Sequence, residues 1–353
     1  MKPLLPIPPH FQSKRATEVF FVPYQARATE AVAWAKAHNI APTATDKKRV
    51  CLMIIDNQNT FCLPNGELFV GGRSGDGAVK DSIRVSEFIY KNLDRISEIA
   101  PTMDTHTAFQ IFHQIFLVND KGEHPGPATE ISHADVVAGK WKVNPAAAYN
   151  LAIKKDPSTV KDTYLYLQRH LEYYTKTLES SGKYKLMIWP YHAMLGGAGH
   201  ALVSIVEEAI FFHSIARASQ PSIETKGQLT RTEYYSVLKP EVTVGFDGNP
   251  IGQRNTNFYK KLLSFDMVIV AGQAKSHCYA WTIDDLLNEI LTQDKTLAKK
   301  VYLLDDCTSS VVIPGIVDFT QAAEDAMARF ASNGMHVVKS TDQIESWPDS
   351  PLA

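Results

Sequence analysis

Continuous apolar runs, each ended by a polar residue or a glycine, recur along this chain with helical spacing between them. Residues 49–56, Arg49-Val50-Cys51-Leu52-Met53-Ile54-Ile55-Asp56, stay apolar until a carboxylate closes them. A run without alternation is what a parallel strand buried on both faces requires. A second short strand is predicted up to Thr102-Met103-Asp104-Thr105-His106, and a third over residues 184–190. The run from 268 to 272 breaks at Gly272, and further strands are predicted over 301–305 and 335–339. Residues 223–227 read as a short extended piece. Helices are predicted around 24–38, 79–96, 201–218 and 319–332. Another covers 163–181, with Leu167, Leu171, Tyr174 and Leu178 on one stripe and Gly182 as its stop. Strands alternating with helices along the whole length predict an α/β fold with a mostly parallel sheet. Right-handed crossovers then bring Asp56, Asp104, His192 and Cys278 to one rim.

Two stretches fall outside this alternation. Residues 1–48 read as an N-terminal arm with a short helix, ahead of one domain over 49–353. A composition shift over about 118–183 reads as a helical insertion packed on that domain.

Composition narrows the classes of function. A chain of 353 residues, 44% hydrophobic and with a formal net charge of -2, can bury a substantial core. It lacks the clustered excess of Lys and Arg that nucleic acid or an anionic membrane would require. No uncharged apolar run approaches the roughly 18 residues of a membrane span, and the proline-rich start argues against a secretory signal. Cys51, Cys62, Cys278 and Cys307 form no C-x-x-C pair, so a reducing cytoplasm is the expected compartment. The glycines between Gly66 and Gly77 match neither the P-loop nor the dinucleotide fingerprint, and no nucleotide cofactor is expected. A homo-oligomer is expected.

The candidate chemistry lies at the strand exits. After Gly272, the sequence Gln273-Ala274-Lys275-Ser276-His277-Cys278 leads into helical spacing at Trp281, Ile283, Leu286, Leu287 and Ile290. Cys278 thus sits near a helix start, where free N–H groups and the helix dipole favour thiolate. A small buried hydrophobe is the competing reading. Asp104 and His106, two apart on an extended segment, can point the same way. His113 joins them if residues 109–116 are helical; it reads first as a structural histidine.

In order along the chain, several segments resemble motifs of the isochorismatase-like cysteine hydrolases, in particular their nicotinamidase branch. Asp56-Asn57-Gln58-Asn59-Thr60-Phe61 is similar to the D-x-Q-N-D-F opening and Asp104-Thr105-His106 to D-x-H. Trp189-Pro190-Tyr191-His192 is similar to W-P-x-H, Lys226-Gly227 to the lysine-glycine element, and the segment from Gly272 to Cys278 to G-x-A-x-x-x-C. The resemblance implies a Rossmann-like three-layer α/β/α sandwich with a six-stranded, mostly parallel sheet. It implies Cys278 as nucleophile, Asp56 as its base and Lys226 as the cation that holds both in the reactive charge state. The oxyanion would rest on the N–H groups of Ala274 and Cys278, with a cis peptide between Gln273 and Ala274. Asp104, His106 and His192 would bind Zn²⁺, Fe²⁺ or Mn²⁺, and Phe61 and Trp189 would flank the substrate ring. The implied activity is hydrolysis of a small, nicotinamide-like amide to acid and ammonia through a thioester.

The match has departures. Thr60 stands for the second Asp of the opening motif, Ala193 for the cysteine after W-P-x-H, and Lys275-Ser276-His277 for T-D-x. These residues are expected to line the pocket, which leaves the substrate open to another small amide, a carbamoyl compound or a ureide. A non-catalytic binding member of the fold is the alternative of another class, against which the joint presence of Asp56, Lys226 and Cys278 speaks.

Overall fold

The computed structural model describes residues 3–182 and 184–353. The strands of its central sheet are β1 (Val50–Ile55), β2 (Glu98–Asp104), β3 (Glu224–Lys226), β4 (Met267–Gly272), β5 (Val301–Leu304) and β6 (His336–Val338). They form one sheet in the order β6-β5-β4-β1-β2-β3, parallel at every pairing. The long helices are α1 (Tyr24–Ala37), α2 (Gly77–Lys91), α3 (Pro157–Ser181), α4 (Ser204–Arg217), α5 (Thr256–Leu263), α6 (Ala280–Gln293) and α7 (Thr320–Ser332).

All of β1 is buried, and its side chains divide by the two-residue period of a strand. Cys51, Met53 and Ile55 join a core with Leu171 of α3, Leu262 of α5, Ile283 and Leu287 of α6 and Phe330 of α7. Val50, Leu52 and Ile54 join a second core with Phe88 and Ile89 of α2 and Val206, Ala209 and Phe212 of α4. The result is the three-layer α/β/α sandwich expected. The arm and α1 lie outside α4, held by Arg27 Nε to Glu208 Oε1 at 2.9 Å and by Arg217 on Asp46 at 2.6 Å.

The sheet order reverses between β1 and β4. In an open parallel sheet, the carboxyl ends at such a reversal leave the crevice where ligands bind. Asp56 follows β1 there, and the Gly272 turn follows β4.

One sequence expectation is corrected. Residues 184–190 do not enter the central sheet: Leu186–Met187 pairs antiparallel with Glu130–Ile131. The neighbouring backbone bonds also go to segments outside the central sheet, Ile188 N–H to Thr129 O at 2.9 Å and Trp189 N–H to Phe112 O at 3.0 Å. This run is apolar because Leu186, Ile188 and Trp189 fill the core beneath α3. The sixth strand of the sheet is instead β3, the short extended piece. Its register sets Lys226 beside Asp104.

Helix α3 starts earlier than its stripe suggests. Asp156 caps it by accepting the Thr159 N–H, Pro157 takes the first turn, and Gly182 ends it with φ +71°. Residues 109–116 form only a short 3-10 turn at Gln114–Phe116, so the helical condition set for His113 is not met.

Candidate active site

Lys226, at the end of β3 and 3% exposed, is the junction of the site. Its Nζ lies 2.9 Å from Asp56 Oδ2, 3.0 Å from Asp104 Oδ1, 3.1 Å from Tyr234 O and 3.4 Å from Cys278 Sγ. A buried ammonium needs such partners, because desolvation alone would strip its proton. Here the negative charges of Asp104 and Asp56 outweigh burial and hold its pKa well above the usual lysine value. Asp56, also buried, takes φ +45° at the strand exit, and its Oδ1 accepts the Thr102 hydroxyl at 2.6 Å. Burial raises its pKa against the pull of Lys226.

Cys278 lies in a π-helical turn, Lys275–Tyr279, that runs into α6. The expectation of a favoured thiolate is corrected: burial pushes the thiol well above its ordinary value, Lys226 opposes this, and the charges of Asp56 and Asp104 add to it. Helix-start amides are a local effect, whereas burial depends on everything packed over the turn. The Gln273–Ala274 peptide is cis. At Gly272, φ is +112° and a Cβ would stand 2.1 Å from Ile55 O, so only glycine lets β4 leave the sheet this close to β1. Among the described residues, the Ala274 N–H meets no backbone carbonyl.

The donor atoms of Asp104, His106 and His192 all lie within 4.8 Å of one another. His106 Nδ1 is 3.2 Å from Gly227 O, and His192 Nδ1 is 2.8 Å from Pro190 O. Donation to those carbonyls leaves each Nε2 with its lone pair, yet both Nε2 atoms face Asp104 Oδ2, at 2.8 and 3.5 Å. Lone pairs converging on a carboxylate call for a cation between them, and the Nδ1 bonds to carbonyls are the outer-shell arrangement of metal-bound histidines. This donor set fits a divalent transition metal. Burial also works against the Asp104 carboxylate, but the His106 imidazole beside it and the Lys226 ammonium hold its pKa well below the usual range. His113 is outside the group: its Nδ1 bonds Thr107 O and Ala108 O at 3.1 and 3.2 Å, and burial lowers its pKa to about 3.

These elements open on one cavity, with Cys278, Ala274, Asp104, His106 and His192 on its polar side and Phe61, Trp189, Tyr235 and His277 among its rings. The Phe61 ring meets His192 edge-on at 5.6 Å, and Trp189 Nε1 donates to Tyr235 Oη at 3.3 Å. His277 is enclosed by Tyr184, Trp189, Tyr235 and Phe319, and burial lowers its pKa to about 3. It therefore faces the cavity as a neutral imidazole. Of the departures expected to line the cavity, only His277 does so. Thr60 instead accepts the Ala193 N–H at 3.3 Å, Lys275 turns back to Asp305 and Glu324, and Ser276 Oγ accepts the Val311 N–H at 3.1 Å. Sequence reasoning missed Glu233 and Tyr235, which follow Lys226 in a loop whose pattern carries no chemical signature. Burial, and then the charge of Glu241, raise the Glu233 pKa well above the usual range.

No family model matches the chain, and no curated protein does. The chain is similar to several solved structures of nicotinamidases and pyrazinamidases. Against the yeast nicotinamidase the TM-score is 0.47 at 18% identity, covering 82% of this chain and 99% of that one. Against an Acinetobacter baumanii nicotinamidase/pyrazinamidase it is 0.46 at 17%, covering 84% and 99%. Against the Pyrococcus horikoshii pyrazinamidase in complex with zinc it is 0.42 at 18%, covering 82% and 99%.

Proposed function

We propose that this chain is a cysteine-dependent amidohydrolase that converts a small, planar aromatic amide of the nicotinamide type to its carboxylic acid and ammonia. The observation that carries the proposal is the placing of one buried lysine on Asp56, Asp104 and Cys278 together, with Asp104 and Cys278 also lining an aromatic cavity. A nucleophile, a carboxylate base and a cation that sets both their charges are the parts covalent catalysis needs.

In the proposed reaction Cys278 passes its proton to Asp56 as Sγ bonds to the amide carbon. The raised values of both groups suit this exchange: the thiol stays neutral until substrate arrives, and the carboxyl can hold the proton it receives. The carbonyl oxygen becomes an oxyanion facing the N–H groups of Ala274 and Cys278. The C–N bond then breaks, Asp56 returns its proton to the departing nitrogen, and ammonia leaves a thioester on Sγ. Water loses a proton to Asp56, adds to the thioester carbon, and the C–S bond breaks to give the acid and restore the thiol. Lys226 keeps its proton throughout, offsetting whichever negative charge is present.

Asp104, His106 and His192 would hold a divalent transition metal, Zn²⁺, Fe²⁺ or Mn²⁺, which supplies a Lewis acid able to bind water or a pyridine nitrogen. Phe61 and Trp189 present ring faces and edges to a planar substrate, and neutral His277 adds no charge that would repel or attract one.

Ammonia release measured over nicotinamide, pyrazinamide, carbamoylsarcosine and simple aliphatic amides tests the reading. Turnover of the ring amides above the others is expected. Turnover confined to carbamoyl or aliphatic substrates would move the substrate class, and release from none would overturn the enzyme.

A further inference from the structure

Asp81 of α2 is a carboxylate 1% exposed that takes no part in the proposed reaction and does not line the cavity. Three side-chain donors converge on it. Arg84 Nη2 reaches Oδ1 at 2.7 Å, while Gln273 Nε2 and Ser309 Oγ reach Oδ2 at 2.8 and 2.6 Å. Gln273 is fixed at its other atoms as well: its Oε1 accepts the Ser309 N–H at 3.2 Å, and its own N–H donates to Ile55 O at 2.7 Å. On the other side of Ala274, the Lys275 N–H donates to Ser309 O at 2.8 Å. Both neighbours of Ala274 are therefore tied to one small network, and Asp81 is the acceptor on which that network closes.

Packing alone would tolerate small rotations of the turn. A hydrogen bond to a buried carboxylate is directional and strong, and a donor aimed at a developing charge loses much of its value when displaced by about 1 Å. We propose that Asp81 is a positioning residue for the oxyanion site: by holding the Gln273 side chain, it sets the direction of the Ala274 N–H. This inference rests on the amidohydrolase reading.

The test uses the full chain, its fastest amide substrate and the aldehyde corresponding to that amide. The aldehyde accepts Sγ at its carbonyl carbon while the thiol proton moves to the oxygen, so the adduct places an oxygen where the oxyanion would lie. Asp81→Asn and Gln273→Leu are each expected to lower kcat about 10- to 100-fold, with KM changed by less than about threefold. Each should weaken aldehyde inhibition by a factor like that on kcat. The double variant Asp81→Asn/Gln273→Glu, which restores the bond with donor and acceptor exchanged, should recover about tenfold or more over Asp81→Asn.

A purely structural anchor would not produce that split, since it would lower the folded fraction and leave kcat per folded molecule and aldehyde affinity unchanged. That result, or an unimpaired Gln273→Leu, overturns the inference. If Asp81→Asn does not fold, Gln273→Leu decides, because it leaves Asp81 its bonds to Arg84 and Ser309. A wild-type chain that hydrolyses no amide would remove the amidohydrolase reading and the inference together; an active wild type with unimpaired variants removes the inference alone.

Discussion

At the scale of single residues, the site is a balance of buried charges, so substitutions should separate chemistry from stability. Cys278→Ala removes the proposed nucleophile but little packing, and ammonia release should fall by at least about 10³-fold with the unfolding midpoint nearly unchanged. Lys226→Met behaves differently. It leaves Asp56 and Asp104 buried and close with no cation between them, which should cost about 3–5 kcal/mol as well as activity. Turnover and chemical denaturation of the two variants side by side check both claims, and an active Cys278→Ala would sink the covalent mechanism.

The Asp104, His106 and His192 group yields an independent prediction. Elemental analysis of protein purified without chelator should find about one equivalent of Zn, Fe or Mn. A chelator should then raise KM for an amide carrying a ring nitrogen more than for one without, and His192→Ala should do the same. Less than about a tenth of an equivalent, with no response to added metal, would remove the metal.

At the scale of elements, what could be read in the sequence was set by how local its cause is. The exits of β1 and β4 were legible because a continuous apolar run ending in Asp56 or Gly272 carries its own signature, and that of β2 because Asp104-Thr105-His106 puts polar residues at its end. β3 was read only as an extended piece, being three residues, Glu-Thr-Lys, that are a strand because β2 offers them a partner. Residues 184–190 were misplaced for the converse reason: their apolar side chains fill the core beneath α3, while their strand partner is Glu130–Ile131 and not the central sheet. The residues proposed for the triad and for the metal were legible as motifs, while Asp81 and Glu233 were not, since the first bonds side chains 192 and 228 residues away and the second is set apart only by its surroundings. Helix α3 shows a local signal that periodicity alone passes over, the Asp156-Pro157 start. Asp156→Ala should cost about 1 kcal/mol and fray the first turn, measurable as a lowered denaturation midpoint and faster amide exchange over residues 157–161. An unchanged midpoint would mean that tertiary packing, not the cap, holds that end.

At the scale of the molecule, buried neutral histidines should set the response to acid. His213, in α4, donates its Nε2–H to Ile96 O at 2.9 Å, and burial lowers its pKa to about 4; His277 is lowered to about 3 by burial. An unfolded chain protonates such groups near pH 6.5, so between there and the folded value the unfolded state binds more protons. Stability is therefore full above about pH 6.5 and lost as pH falls, by about 1.4 kcal/mol per pH unit for each such group. The buried carboxyl groups with raised values, Asp81 and Glu233, act with the opposite sign, since their folded forms take up protons first. A bare pH profile mixes the two, but a difference between variants does not. Denaturant unfolding of wild type and His213→Gln from pH 7 to 4.5 should show the variant losing less stability per pH unit, by up to about 1.4 kcal/mol, whatever its stability at pH 7. Parallel profiles would mean that His213 titrates alike in both states, and its burial would not be the source of acid sensitivity.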